Sequence, residues 1–548
     1  VIGAVRSGAG RALGLLLAMG VALLMGAAPA AAHAYVIAVD PANGSQIDAA
    51  PTAVTVTFSE PVTLAADLVT TVLDAAGERV DNGTVDLSDD RVTLTIGLRD
   101  GLAEGRYIAS WTVVSADTHP VGGSVQFGYG VPALPVSNPT VEPSVLLGLA
   151  VALVKGLLYV ALVLAVGTLP AAAVFGAGAG VFARIRTLLR WATLLAVIAS
   201  LLQVVVQYLW DASALPGGPT VAGALAFAST PYAVAVYVRI ALLVGAALLA
   251  PAVPGRRLRF GATVLLGVAA LVATVRNGHG GAGPWWQYLS TAAHVVAAVA
   301  WIGGLVVLAA FLLRDRTGHH LRFLPRWSVY AAASVTVIAG TGLLQSVVQV
   351  RYPGALTSTT YGVVLIAKVA LVVAAVALGW WGRRWVRTRT GPSVPTSAFA
   401  RRVRLEVGLG VLIVLVSGLL SSVAPGTDVY APTRTIAERI GPYAVTVDVG
   451  PARRGPQTFR VTVTGDTPDT AVPRELRLDL ALADGSVRGL TVDFPYRLPG
   501  AIRDDTATPF TFVSSAVSVP VTGEWSGTLT VVADERRQYA AEFGYRVV

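Results

Sequence analysis

The stretch VLLGLAVALVKGLLYVALVLAVGTLP at 145–170 decides the class of this fold. It holds one charge, Lys155. At ~1.5 Å per helical residue it is long enough to cross the ~30 Å hydrocarbon core of a bilayer. Working outward, comparable runs recur near 187–210, 232–253, 259–276, 285–313, 325–350, 357–381 and 403–423. Eight spans are therefore expected in an all-α transmembrane bundle over 144–425. Composition agrees: of 548 residues, 54% are apolar and only 13% charged, about half the ~25% of an ordinary soluble domain. The mean hydropathy is +0.65. A purely soluble or a disordered chain is excluded.

Arginines fix the expected orientation. Arg184, Arg186 and Arg190 flank one loop, Arg256, Arg257 and Arg259 the next alternate one. Arg314, Arg316, Arg322 and Arg326 follow, then Arg383, Arg384, Arg387, Arg389, Arg401, Arg402 and Arg404. The intervening loops have Arg276 and Arg351 at their edges. The rich set faces the cytoplasm by the positive-inside rule, so an even span count leaves both ends outside. The N-terminus agrees independently. Arg6 and Arg11, an apolar run from Leu13 to Met25 and the small residues Ala30-Ala31-Ala32 read as a signal peptide over 1–32. The formal charge of +9 is thus mainly topological, and a nucleic-acid partner is not expected. The expected location is the plasma membrane, multi-pass, with lipid and the two extracytoplasmic ends as surroundings.

Outside the spans the pattern changes to period two. Val54-Thr55-Val56-Thr57-Phe58, Val92-Thr93-Leu94-Thr95-Ile96 and Ser124-Val125-Gln126-Phe127 alternate, with turns at Asn82-Gly83 and Asp100-Gly101. This predicts an all-β domain of immunoglobulin-like or Greek-key type over 33–130. A linker at 131–143 carries Pro132, Pro135, Pro139 and Pro143. Residues 430–548 alternate again, as in Tyr443-Ala444-Val445-Thr446-Val447, and predict a β-sandwich domain without a histidine.

Cysteine is absent, and the two methionines, Met19 and Met25, lie in the first thirty residues. Metal chemistry after Met25 therefore rests on nitrogen and oxygen, which disfavours soft-ligand Cu(I) sites. His319 and His320 sit in an arginine-rich loop and read as a solvated pair. Cleavage after Ala32 makes His33 the first residue, with a free α-amino group beside its imidazole. In Ser115-Ala116-Asp117-Thr118-His119-Pro120, Asp117 and His119 share one strand face. With His33 they form a three-nitrogen, one-oxygen set suited to tetragonal Cu(II), the tightest-bound divalent first-row ion. Taken alone the Asp-Thr-His triplet is a weak signal, and a surface strand without a ligand role is the simpler reading.

Several further motifs extend that signal: His33-Ala34-Tyr35, Val39-Asp40-Pro41-Ala42-Asn43-Gly44, Phe58-Ser59-Glu60-Pro61-Val62 and Val113-Val114-Ser115-Ala116-Asp117-Thr118-His119-Pro120-Val121. On these residues 33–130 resembles the copper-resistance CopC family. The resemblance implies Cu(II) as the bound metal and His33, Asp117 and His119 as its ligands, with Glu60 where the family has a carboxylate near the metal. A methionine-rich Cu(I) site of the kind some members carry is not implied. The membrane part resembles the partner CopD family, through His294-Val295-Val296-Ala297-Ala298-Val299-Ala300-Trp301-Ile302-Gly303-Gly304-Leu305, Ala339-Gly340-Thr341-Gly342 and Tyr361-Gly362-Val363-Val364-Leu365-Ile366-Ala367-Lys368. Together these imply a fused copper-binding and copper-transport protein serving copper homeostasis, with the copper ion and extracytoplasmic copper proteins as partners.

Both lysines, Lys155 and Lys368, and Arg239 fall inside expected spans and should face the bundle interior. Gln203 and Gln207, like Gln345 and Gln349, are i,i+4 neighbours in the outer halves of their helices. With His279 in an outer loop and His294 in its helix, they could line a polar vestibule, and Arg239 and Lys368 join them as candidates on a copper pathway. Glu406 is the one clear interior carboxylate of this reading. No nucleotide-binding loop is present, so no ATPase drive is expected. The leading expectation is Cu(II) binding coupled to copper import and no enzymatic activity. A membrane-anchored copper sensor or scaffold and a copper-brace oxidase are the alternatives. Reporter tags at both mature ends should be reachable by impermeant reagents on intact cells. A protected C-terminal tag would show that the span count is odd.

Overall fold

The computed structural model describes residues 34, 36–64, 70–115, 120–133, 144–175, 178–213, 218–250, 257–278, 284–312, 324–388 and 396–548, with short breaks at 468–469, 471, 486, 495, 500–508, 515–516, 520 and 535. Among these residues eight helices are long and apolar enough to cross a membrane. They are α1 (Val145–Val174), α2 (Ala179–Ala212), α3 (Pro231–Leu249), α4 (Arg257–Val275), α5 (Trp285–Val307), α6 (Leu324–Val350), α7 (Thr360–Thr388) and α8 (Thr396–Leu420). The expected spans recur with shifted ends. The second helix starts at Ala179 rather than near 187, because arginine lowers hydropathy but is a good helix former.

The helices divide into centre and rim. Over half of the most apolar window is buried in α1 (56%), α5 (56%) and α8 (61%), against 6% in α6. Exposed Leu194, Ile198, Leu201 and Val205 on α2 form a lipid-facing stripe. Small residues bring the central helices together. A Cβ on Gly303 of α5 would lie 2.5 Å from the Gly167 carbonyl carbon in α1, and one on Gly418 of α8 would lie 2.8 Å from Gly156 Cα. Gly167 closes a π-helical turn, Val163–Gly167, within α1.

After α8 the chain forms two further sheets. Their strands are β10 (Arg434–Ile440), β11 (Tyr443–Gly450), β12 (Gly455–Gly465), β13 (Glu475–Leu482), β14 (Leu490–Val492), β15 (Tyr496–Pro499), β16 (Phe510–Val513), β17 (Val517–Val519), β18 (Gly523–Val532) and β19 (Gln538–Val547); their numbering follows nine strands at the N-terminal side. One sheet runs β10-β11-β12-β16-β15 with β17 also on β12, the other β14-β13-β18-β19. Val445, Val447 and Phe459 from the first and Leu478, Trp525 and Leu529 from the second share one core. Tyr352, just after α6, stacks on Tyr430 at 5.6 Å, and Arg453 Nη1 donates to the Asp428 carbonyl at 2.9 Å. These contacts seat the C-terminal sheets on the end of the bundle where α6 joins α7.

The N-terminal strands are β1 (Val36–Asp40), β2 (Gln46–Ile47), β3 (Ala53–Phe58), β4 (Val62–Thr63), β5 (Thr71–Asp74), β6 (Asp81–Leu87), β7 (Thr93–Leu98), β8 (Gly105–Ser115) and β9 (Pro120–Tyr129). They build a four-stranded sheet, β1-β3-β7-β6, and a five-stranded one, β2-β9-β8-β4 with β5 on β8. The period-two pattern is visible in β3, where Val54, Val56 and Phe58 are buried and the threonines between them are less so. Val56 and Ile96 of one sheet and Trp111 and Phe127 of the other belong to a single core.

One carboxylate pins the edge of this core. Asp81, 2% exposed, accepts from Arg79 Nε at 2.8 Å, Val72 N at 3.0 Å and Thr71 Oγ1 at 3.2 Å. Burial alone would raise its pKa, but these donors favour the ionised form and together hold it at about 2. A depressed carboxylate contributes stability that is full above its unfolded pKa, ~3.9, and lost as pH falls through the folded value; by linkage the contribution at neutral pH is about 2 kcal/mol. The Asp81→Asn variant should therefore lower the thermal midpoint of the N-terminal domain at pH 7 and flatten its decline between about pH 4 and 2. Parallel pH profiles for the two proteins would count against this role.

Candidate functional site

One end of the N-terminal sandwich is built by register. β1 pairs with β3 through Val36↔Phe58, so the chain entering β1 meets the segment leaving β3. That segment, Ser59-Glu60-Pro61, crosses to the other sheet, where β4 pairs with β8 through Val62↔Ser115. β8 then pairs with β9 through Val114↔Pro120. The start of β1, the crossover with Glu60 and the ends of the β8–β9 connection thus lie at one end of the domain. Ala34 and Ser115 are buried there, at 1% and 3% exposure, and Glu60 is partly buried. His33, Asp117 and His119 lie outside the described residues, as do His279, His319 and His320. Among the described residues no group of three histidine or carboxylate side chains forms a metal site.

Inside the bundle, polar residues among those described gather in two clusters on different helices. The first joins α2 and α3. Arg239, wholly buried, donates from Nε to Ser200 Oγ at 3.2 Å and from Nη2 to Gln203 Oε1 at 2.9 Å. Gln203 Nε2 in turn donates to the Tyr232 hydroxyl at 2.7 Å. One turn further, Gln207 Nε2 donates to Asp211 Oδ1 at 3.0 Å. Asp211 is 6% exposed and corrects the expectation that Glu406 is the one clear interior carboxylate. The apolar run stops at Trp210 because the charge of Asp211 ends the hydropathy window; the helix itself continues to Ala212. Nearby in the bundle, Lys155 Nζ donates to the Ser421 carbonyl at 3.3 Å, and the Tyr159 hydroxyl to Ser421 Oγ at 3.2 Å.

The second cluster joins α5, α6 and α7. His294 Nδ1 lies 3.0 Å from Thr341 Oγ1 on α6. The Thr341 hydroxyl is within 2.5 Å of the Val337 carbonyl, one turn back on its own helix. A hydroxyl has one proton, and that carbonyl can only accept it. Thr341 Oγ1 is then the acceptor for His294, which assigns the imidazole proton to Nδ1 and leaves the Nε2 lone pair available to a metal. Gly342 gives the ring room: a Cβ there would lie 3.2 Å from His294 Cε1. Tyr361 donates its hydroxyl to Gln349 Oε1. Gln345 is on the same helix, with its Nε2 buried and unbonded among the described residues. Lys368 is partly buried on α7, and Glu406 is 8% exposed on α8, its carboxylate against Gly379. The glutamines expected to line one vestibule are therefore divided between two helix groups.

Residues 36–130 match the CopC domain family, and residues 321–420 match the family described as copper resistance protein D. One chain thus carries both segments. The chain is 26% identical over 476 residues to the copper transport protein CutJ of Bacillus subtilis (strain 168), across 80% of this chain and 83% of that one. Among solved structures, CopC from Methylosinus trichosporium OB3b is 27% identical, covering 19% of this chain and 98% of its own, with a TM-score of 0.16. The methionine-rich copper resistance protein PcoC from Escherichia coli is 26% identical, covering 18% and 99%, also at 0.16.

The α2–α3 cluster makes a structural demand that can be measured. Replacing Gln203 by Leu strands a buried guanidinium and should destabilise the assembled bundle by roughly 1–3 kcal/mol. Adding Arg239→Leu removes the stranded charge, so the double variant should recover much of that loss. Thermal melting of the purified proteins in detergent measures it; simply additive losses would show that the two side chains are not coupled.

Proposed function

We propose that the chain binds Cu(II) at the outer end of its N-terminal β domain and passes it into the helix bundle for import across the plasma membrane. The copper ion is the cargo. His33, Asp117 and His119 are the proposed ligands, with Glu60 in the crossover beside them. Both β domains stand on the extracytoplasmic side, where copper-carrying proteins deliver or receive the ion. The reading is of a transporter rather than an oxidase: an aspartate in the equatorial set fills the position that oxygen would need.

The observation that carries the membrane half is the His294–Thr341 contact. It turns an imidazole nitrogen lone pair loose inside a bundle whose sequence offers no sulfur ligand after Met25. Nearly all metal-bound histidines have their other ring nitrogen fixed by an acceptor in this way. Arg239 and Lys155 cluster on the α1–α3 and α8 side, apart from the His294 pair, whose cationic neighbour is Lys368 on α7. The first residue matters as much at the outer site, because any residue retained before His33 separates the α-amino group from the imidazole.

The test is copper accumulation by cells at matched membrane expression. His294→Ala should abolish accumulation while Cu(II) binding by the N-terminal domain is unchanged, since the two sites share no ligand. Thr341→Val keeps the shape, frees the imidazole tautomer and should lower accumulation by about 10- to 100-fold, the usual loss when such a supporting partner is removed. Normal accumulation by the His294→Ala variant would overturn the proposed route.

A further inference from the structure

We infer that the C-terminal β domain is a docking platform that grips the N-terminal domain along β1. Its functional consequence rests on the copper reading above; its structural claim does not. β1 is an edge strand, the outermost member of β1-β3-β7-β6. Its sequence, Val36-Ile37-Ala38-Val39-Asp40, is apolar until the last residue, and an uncovered apolar edge invites pairing with other chains. The register shifts between Val36 and Ala38, leaving Ile37 without a partner across β3. Val36 and Val39 pack on the N-terminal core, whereas Ile37 lies outside that cluster and is still only 5% exposed.

The cover comes from the other end of the chain. β12 and β17 lie against β1. Ser518 of β17 donates its hydroxyl to the Ile37 carbonyl, satisfying the main-chain acceptor at the bulge. β17 is itself held on β12 through Pro456↔Ser518. The same C-terminal domain is anchored to the bundle through the Tyr352–Tyr430 stack and the Arg453–Asp428 bond. The N-terminal domain is therefore attached twice, by the proline-rich connection at 131–143 and by β1. The gripped strand begins three residues after His33, so the grip fixes the orientation of the end that holds the proposed copper ligands.

Absence of cysteine makes the test clean, since Ile37→Cys with Ser518→Cys introduces the only two thiols. A protease site is placed within 131–143 of the full-length chain, and membranes are treated with a short bismaleimide before cleavage. The N-terminal fragment should stay joined to the rest of its own chain. Its release, or crosslinked dimers marking a second copy as the occupant, would overturn the docking. Ser518→Arg should lower copper accumulation several-fold with Cu(II) binding unchanged, and the crosslinked double variant should still accumulate copper. Normal accumulation by Ser518→Arg would overturn the functional role. A chain that crosslinks as expected but never accumulates copper would support the docking and refute the transport reading, so the two failures are distinct.

Discussion

Two backbone contacts on α1 hold the membrane domain in place. Gly167 meets α5 so closely that a Cβ on it would lie 2.2 Å from the Val299 carbonyl oxygen, and Gly156 meets Gly418 on α8. Lipid chains are as apolar as the side chains they touch, so helices in a bilayer are held by close packing and not by the hydrophobic effect. With both glycine pairs on α1, its two neighbours meet it about three turns apart along one helix. α5 carries His294, and α8 leads into Ser421, the acceptor for Lys155 and Tyr159. The polar chemistry of the bundle is therefore placed by residues that have no side chains.

Charge then sorts the interior. Arg239 is wholly buried, and its hydrogen-bond partners among the described residues, Ser200 and Gln203, are neutral. Such a group is held by amide and hydroxyl dipoles, and its positive field remains on the α2–α3 side. Lys155 adds a second cation bonded to a carbonyl. The imidazole on α5 meets a hydroxyl instead. A bundle whose polar residues formed one vestibule would expose a passing cation to all of these charges. Their division keeps Arg239 and Lys155 apart from His294, while Lys368 on α7 remains the cation whose charge acts on that imidazole.

Much of this architecture was legible from period and composition. Strand alternation such as Val54-Thr55-Val56-Thr57-Phe58 and the apolar runs appear as β3 and the eight candidate helices, because burial sets both patterns. The separation of the glutamines was not legible. An i,i+4 spacing puts Gln203 and Gln207 on one helix face, but it does not say which helix that face meets. Asp211 was hidden for a related reason: hydropathy ends a span at the first charge, whereas the helix ends where its packing does. The Thr341 contact depends on the approach of α5 to α6, where Gly342 leaves room for the His294 ring. Nor does an alternating strand disclose that Val36 and Val39 both pack on the core, since one bulge reverses the faces after it.

The crossover at Ser59-Glu60-Pro61 connects these layers. It exists because β3 and β4 lie in different sheets, and it brings the start of β1 to the end of β8. Any ligand set that joins the chain's first residues to the β8–β9 connection must form beside it. The proposed set of His33, Asp117 and His119 contains imidazole, amine and carboxylate, and the bundle offers the imidazole of His294 too. Under the proposed function, hard and borderline donors at both places suit the same oxidation state, Cu(II), and a transfer between them would require no reductant. A single imidazole inside the bundle is also a weaker site than the outer set. On this reading copper is held tightly where it is collected and loosely where it must move on.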